Sequence, residues 1–325
     1  MKLSNSTPTR ADIVSAYRLI LLRDPDEVGL QHHLSLAEQG RLTLDRLVAS
    51  FLDSREYRAM AEEDIVTVDL GGVDVVVDRR EPDFGKAISR NGSWEPHLLA
   101  VLKDALKPGD VFVDIGANVG VMSLFAAKVV GDKGRVIAFE PNASNVQMLL
   151  MGVAANGFEQ RLRVYSIALS EKAALFELRG SSNCYLGPLG SSGQLAQAVA
   201  GDDVLGAEPR IDFVKIDIEG HEPFALAGLH RTLAKHQPAV LCEFNPRCLK
   251  YHAGKEPRVF AEELFALSDS IYAIEHSGRR NVVANADQLM DLWQTRNQEA
   301  VQSKLLPYGM LHFDLLFKPE KPAAS

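Results

Sequence analysis

Asp114, Gly116, Asn118 and Gly120 fall at every second position behind the apolar run Val111–Val113, in the stretch VFVDIGANVG. The five residues up to Ile115 have the make-up of a buried strand, and the glycines after them permit a tight turn that brings backbone close to a ligand. The following VMSLFAAKVV has a helix-like, apolar make-up, and its first N–H groups would be free to meet a carboxylate or phosphate. Glu140 ends the next apolar run, RVIAFE, 20 residues after Gly120. That is the separation at which an acid meets a ribose diol in nucleotide sites. A turn made only to reverse the chain would account for the glycines but not for the acids.

Two ligand classes compete for such a turn. A dinucleotide would call for G-x-G-x-x-G, with pyrophosphate resting on the helix. Here the order is D-x-G-x-N-x-G, and Asp114 in front of the first glycine repels pyrophosphate. The same acid accepts readily from an amino-acid ammonium, which S-adenosylmethionine carries together with a ribose and an adenine. Further along, FVKIDIEGHE sets Asp217 at a strand end with Glu219, His221 and Glu222 just beyond, and LCEFNP sets Glu243 and Asn245 at the end of the next strand. Helix N-terminal charge is the plain alternative for Glu219 and Glu222, and a backbone-bonded helix start is the plain alternative for His221.

These groups need a scaffold. Residues up to about Met60 show helical spacing only, as in DIVSAYRLIL and LTLDRLVASFLDSREY, and predict three or four helices. From Asp64 the period becomes two, and IVTVDLGGVDVVVD reads as a hairpin turning at Gly71–Gly72. Then VFVDI, RVIAFE, RVYSIAL, IDFVKIDI and PAVLCEF alternate with helical stretches, and IYAIEHS and LHFDLLF add two late strands. Apolar strands alternating with helices predict a mostly parallel sheet covered on both faces, with ligands beyond the strands' carboxyl ends. RGSSNCYLGPLGSSG has no period and reads as a loop over that crevice or as a plain linker.

Bulk composition narrows the classes. The 325 residues carry a net charge of -8, which disfavours a nucleic-acid partner. No apolar run is long enough to span a bilayer, and the opening MKLSNSTPTR lacks the apolar core of a secretory signal. Cys184, Cys242 and Cys248 form no C-x-x-C pair and read as three reduced thiols of a cytoplasmic protein. The histidines outside the motifs, His32 and His33 included, read as surface residues.

Three motifs together, FVDIGANVG, AFEPNASN and VKIDIEGHE, resemble the FkbM-type family of methyltransferases in kind and in order. The resemblance runs from about Gly92 to Phe317. It implies S-adenosylmethionine as cofactor and a Rossmann-like methyltransferase fold, here a seven-stranded mostly parallel sheet with helices on both faces. It also implies Asp114, Gly116 and Asn118 at the methionine end, Glu140 on the ribose with Pro141 and Gly120 in the same motifs, and Glu95 of NGSWEP near the cofactor. The family mostly methylates hydroxyls of sugars or polyketides. The N-terminal helices are similar to a small module found beside bacterial glycan enzymes.

The expectations are therefore an α/β fold preceded by an all-α module. Residues 1–62 are assigned to recruitment or assembly through a protein partner or a second copy, and 63–325 to the methyltransferase. The expected reaction is methylation of a sugar or glycan hydroxyl; a polyketide, peptide or other small acceptor, or an inactive scaffold, are the alternatives. Methyl transfer is an in-line displacement that depends on alignment, and an alcohol also needs a proton acceptor. Asp217, Glu219, His221 and Glu243 are the candidates for those tasks, with Asp217 also facing the cofactor. Asp217, Glu243 and Asn245 would suit Mg²⁺, but the resemblance does not demand a metal and none is assigned.

Overall fold

The computed structural model describes residues 6–21, 23–190, 193–304 and 311–320, and of residues 59–63 the backbone alone. The chain divides into two compact units, Met1–Val66 and Thr67–Ser325.

In the first unit, four helices form: α1 (Arg10–Ile20), α2 (Glu27–Glu38), α3 (Leu44–Leu52) and α4 (Arg55–Asp64). Their starts follow from side chains that satisfy otherwise unpaired N–H groups. Thr9 Oγ1 accepts from Asp12 N–H while Asp12 Oδ2 accepts from Thr9 N–H at 2.8 Å. Asp26 and Thr43 cap α2 and α3 in the same manner. Ile13, Tyr17, Leu30, Leu47 and Phe51 make a small shared core. His33 is less exposed than expected, because its ring stacks on Phe51 at 5.1 Å.

The boundary falls within the first strand of a hairpin, β1 (Ile65–Asp69) and β2 (Asp74–Asp78), which is followed by α5 (Phe84–Asn91) and α6 (Pro96–Ala105). Next come β3 (Val111–Ile115), α7 (Val121–Val130), β4 (Arg135–Phe139), α8 (Ala143–Asn156) and β5 (Leu162–Tyr165). A separate sheet follows, from β6 (Ala168–Ser170), β7 (Ala174–Arg179), β8 (Tyr185–Gly187) and β9 (Gln194–Ala200), in the order β6-β9-β7-β8. The expected strand RVYSIAL is thus broken at Ser166–Ile167, and its halves join different sheets. RGSSNCYLGPLGSSG is likewise no plain linker: β8 pairs with β7 from within it, and Ser191 and Ser192 lie outside the described residues.

The chain returns to the main sheet through α9 (Gly201–Leu205), β10 (Phe213–Ile216), α10 (Glu222–Ala227), α11 (His230–His236) and β11 (Ala239–Phe244). It ends with α12 (Pro246–Tyr251), α13 (Pro257–Leu267), β12 (Ile271–Ile274), β13 (Arg280–Val283), α14 (Ala286–Gln302) and β14 (Phe313–Phe317). The main sheet runs β13-β12-β14-β11-β10-β3-β4-β5. Seven of its strands are the expected ones, and β13 adds an antiparallel edge. β14 runs against both neighbours, whereas β11, β10, β3, β4 and β5 are mutually parallel. This is a Rossmann-like sheet. From β3 the chain moves outward one way and from β10 the other, so the strand order reverses between them. The crevice therefore opens beyond Ile115 and Ile216.

Strand alternation decides which side chains go where. Val111, Val113 and Ile115 join a core with Val214, Ile216, Leu226, Leu233, Phe260 and Leu289. Phe112 and Asp114 point to the other face, where Ser123 of α7 donates to Asp114 Oδ2 at 2.6 Å. Lys215 is paired in register with Asp114, which puts an ammonium and a carboxylate side by side inside that face. Among the described residues no helix is long and apolar enough to cross a membrane.

Candidate active site

The turn after β3 is shaped by two close approaches. Gly116 has φ 83°, and a Cβ there would stand 2.0 Å from the Asp217 carbonyl oxygen. Only glycine lets the ends of β3 and β10 meet so tightly. Gly120, at φ 93°, precedes α7, and a Cβ on it would collide with Leu149. Its task is packing, and it is not among the residues lining the cleft.

Asn118 adopts φ 51°, which costs a non-glycine residue strain. In that pose its N–H donates to Glu140 Oε2 at 2.8 Å, and Glu140 Oε1 accepts from Asn142 N–H at 2.8 Å. Burial pushes the Glu140 carboxyl up to about 7 despite these bonds. Asn142 and Asn145 donate in turn to the carbonyls of Ser181 (3.2 Å) and Ser182 (2.9 Å), which stitches the turn after β7 over the site.

The cleft has two lobes that share Gly116, Asn118, Asn183, Asp217 and Glu219. The first, about 520 Å³, is walled by Phe139, Pro141, Ile167, Leu178, Cys184 and Leu186, with Glu140 at its side. The second, about 780 Å³, is walled by Phe84, Trp94, Glu95, Lys215, Glu243 and His312. One lobe is greasy; the other is crowded with carboxylates.

Lys215 organises that second lobe. Its Nζ lies 3.4 Å from Asp114 Oδ1 and 3.3 Å from Asp217 Oδ2, and donates to the Gly116 carbonyl at 3.3 Å. Burial acts to lower the ammonium's pKa, but the carboxylates of Asp217, Asp114 and Glu95 outweigh it and hold the pKa above its ordinary value. Around this cation the other acids are forced upward. Burial, then Asp217, pushes Glu95 up to about 8 and Glu219 up to about 7. Burial, then Asp217 and Glu219, raises Glu243 well above the carboxylate range. Glu95 (φ 40°) and Glu219 (φ 56°) also hold left-handed backbone, as Asn118 does. Strain and displaced protonation thus coincide at one place, as they do at functional sites.

Of the residues read from the sequence, Glu95, Gly116, Asn118, Glu140, Pro141, Asp217, Glu219 and Glu243 line this cleft. Asp114 lies beneath the lining, fully buried, and reaches the site only through Lys215 and Ser123. His221 faces away: its Nε2 meets Ser170 Oγ at 2.9 Å beside Phe176 and Phe224, and burial lowers it to about 4. Glu222 is buried behind the turn, accepting from Ile218 N–H at 2.9 Å and Gly220 N–H at 3.2 Å. Asn245, grouped with Asp217 and Glu243 as a Mg²⁺ set, is instead the buried cap of α12 and is not among the cleft-lining residues.

Among the lining residues that escaped the sequence reading are two bases, Lys215 and His312. Lys215 had a signal, being the lone charge inside FVKI, a strand otherwise made of apolar residues. His312 had none, because β14 meets β11 only in the fold. Its Nδ1 is 3.6 Å from Glu243 Oε1, and its ring packs edge-on against His276 at 4.3 Å. His276 in turn lies 5.3 Å from His97, whose Nε2 is 3.4 Å from Asp314.

Residues 114–263 match the family model described as Methyltransferase FkbM domain. A curated relative, the hexuronic acid methyltransferase AglP of Haloferax volcanii, is 27% identical over 168 residues, which cover 50% of this chain and 65% of the relative. The chain therefore spans somewhat less than two thirds of that relative's length. Among solved structures, methyltransferase FkbM from Methylobacillus flagellatus KT is similar over 72% of this chain and 49% of its own, at 19% identity and TM-score 0.35. The Pyrococcus abyssi tRNA (uracil-54, C5)-methyltransferase bound to S-adenosyl-L-homocysteine is similar over 79% and 44%, at 14% identity and TM-score 0.39.

Proposed function

Starting from the methyltransferase FkbM domain that the chain carries at residues 114–263, we propose that it transfers the methyl group of S-adenosylmethionine to a hydroxyl of a sugar or glycan. The observation that carries this reading is the division of one cleft, across Gly116, Asn118 and Asp217, into a greasy lobe and a carboxylate-rich lobe.

The residues fit that cofactor. Phe139, Ile167 and Leu186 suit the flat faces of an adenine. Each Glu140 oxygen accepts one backbone N–H at 2.8 Å and keeps lone pairs for a ribose diol. Glu95 and Glu219 offer acceptors to an ammonium group. Glu243 Oε2 is buried without a partner, a group that a bound molecule would satisfy. When bound, S-adenosylmethionine supplies the electrophilic methyl group.

The chain's own residues do the rest. Asp217 is clamped by Lys215 and so has a fixed direction, which suits it to align the acceptor hydroxyl. His312, 3.6 Å from Glu243 and standing in the same lobe, takes the hydroxyl proton. This role replaces the one expected of His221, which faces another groove. Glu95 and Glu219 hold the cofactor's cationic end, and Asp114 acts by positioning Lys215.

Two observations support a sugar as acceptor. The curated relative is named for a hexuronic acid, and Phe84 and Trp94, with ring centroids 4.3 Å apart, give the polar lobe an aromatic wall on which a sugar's C–H face packs. Among the described residues the helical unit carries no comparable cluster of acids and bases, and we assign it to recruitment or assembly, in a protein acting in the cytoplasm. Incubating the full chain with S-adenosylmethionine and a panel of sugars and surface glycans, with products read by mass spectrometry, tests the proposal. A glycan heavier by one methyl is the expected product. Methylation of peptide or polyketide acceptors with all sugars untouched would reject the acceptor class, and no methylation of any would reject the reaction.

A further inference from the structure

Beside the cleft, one side-chain cluster combines a thiol, an imidazole and a carboxylate. Glu219, Cys248 and His252 bring one donor atom each within 4.8 Å of one another. Cys248 Sγ lies 3.2 Å from Glu219 Oε2, and His252 Nδ1 donates to the Glu219 carbonyl at 2.8 Å.

Backbone builds this meeting. Cys248 on α12 and His252, its C-cap, are four residues apart, one helical turn, so their side chains leave the same face. Asn245 fixes the start of that turn by accepting from Cys248 N–H at 3.2 Å. Against it lies the turn after β10, where Gly220 has φ 100° and a Cβ would stand 2.5 Å from the Cys248 carbonyl oxygen. A side chain at 220 would push Glu219 off the thiol. The ring of Tyr185 stacks on His252 at 3.8 Å and holds its plane.

We propose that Glu219, Cys248 and His252 form a Zn²⁺ site in the wall of the cleft, and that the ion draws the Glu219 carboxylate out of the two lobes and weakens cofactor binding. The metal site stands on this geometry alone, while its effect on the cofactor rests on the reading of the cleft given above. A thiolate, an imidazole and a carboxylate suit Zn²⁺, whereas Mg²⁺ and Ca²⁺ take oxygen donors. Metal–ligand lengths of about 2.0–2.3 Å put tetrahedral donors about 3.3–3.8 Å apart, so the cluster must close by only about 1 Å. Free Cys248 keeps its proton, because burial and then the Glu219 charge raise the thiol. The ion replaces that S–H proton, which leaves to solvent, and thiolate and carboxylate then offset the charge of the ion. Three protein donors leave a fourth position to water.

Dialysis of the full chain against Zn²⁺, with Co²⁺ as the spectroscopic substitute, tests the site. One ion retained per chain, release of protons and a sulfur-to-cobalt charge-transfer band in the near ultraviolet are expected. Cys248→Ser abolishes the band while Cys184→Ser keeps it, and His252→Ala weakens affinity by at least about 100-fold, beyond the loss of an outer partner. Zn²⁺ weakens S-adenosylhomocysteine binding roughly 10- to 100-fold, the effect of losing one hydrogen bond to a charged group. No retained ion, or a band that survives Cys248→Ser, overturns the site. An ion that binds through Cys248 but leaves S-adenosylhomocysteine affinity unchanged overturns the coupling to the cleft.

Discussion

In the helical unit the buried side chains, such as Ile13, Leu30, Leu47 and Phe51, are apolar, and ion pairs such as Arg18–Asp24 stand in water. In the larger unit Asp114, Glu140, Lys215, Glu222, Glu243 and Asp314 are all buried, and among the described residues every buried polar or charged side chain belongs to this unit. Burying charge costs several kcal/mol unless partners repay it, so a chain that only needed to fold would build both units like the first. The difference teaches where to look for chemistry. The larger unit spends stability on a cluster of acids around one lysine, and the cluster sits at the reversal of strand order where a ligand belongs.

The largest effects should come from breaking the chemistry on the buried side. Asp217→Asn and His312→Ala are each expected to lower turnover by about 10²- to 10⁴-fold, with S-adenosylhomocysteine affinity little changed, in steady-state assays paired with calorimetry. A normal rate in either variant removes that residue from its role.

Next in size is the lysine that holds the acids together. Lys215→Met leaves Asp114 and Asp217 facing each other without a cation, and breaking a buried pair costs about 3–5 kcal/mol. Urea unfolding of the larger unit should show a loss of that order; less than about 1 kcal/mol would mean that the cluster is not held by Lys215.

The two units should also answer pH in opposite directions. Burial raises Glu95 and Glu222 to about 8, so their protonated forms are favoured by folding. That stability is complete below the unfolded carboxyl pKa and is lost as pH rises through about 8. In the helical unit Asp12, Asp26 and Glu56 are lowered, first by hydrogen bonds from Thr9, Gly29 and Arg23. Their stability is present above the unfolded pKa and fades as pH falls. Thermal scans from about pH 2 to pH 9 that follow each unit separately check this, and Glu222→Gln should flatten the alkaline loss. The smallest effect expected is that of Arg23→Ala, about 1 kcal/mol or less, because its pair with Glu56 is half-exposed.

What the sequence disclosed follows the same division. Strands such as VFVDI and RVIAF announced themselves because burial on both faces leaves an unbroken apolar run, and the main sheet was legible almost strand for strand. The sheet β6-β9-β7-β8 was not. Its strands are short, β7 and β9 expose apolar residues such as Leu175 and Leu195, and period two is hard to see over three to seven residues. Acids after glycine turns were legible as a site because their positions follow from the strand ends. The role of Asp114 was not, since only strand alternation in the folded sheet turns it inward to Lys215. His221 and His312 show the limit most plainly: the first looked catalytic by its neighbours in sequence, the second by its neighbours in space.

One measurement bears most directly on the account. Calorimetric titration of the full chain with S-adenosylhomocysteine and, separately, with NAD should give binding of the first and none of the second. Glu140→Gln should weaken the S-adenosylhomocysteine binding by about 1.5–3 kcal/mol, and the wild-type affinity should fall as pH drops through about 7, where burial has placed the Glu140 carboxyl. Binding of NAD without S-adenosylhomocysteine, or a Glu140→Gln variant that binds S-adenosylhomocysteine like the wild type, would contradict the claim that this cleft is built for a methyl donor.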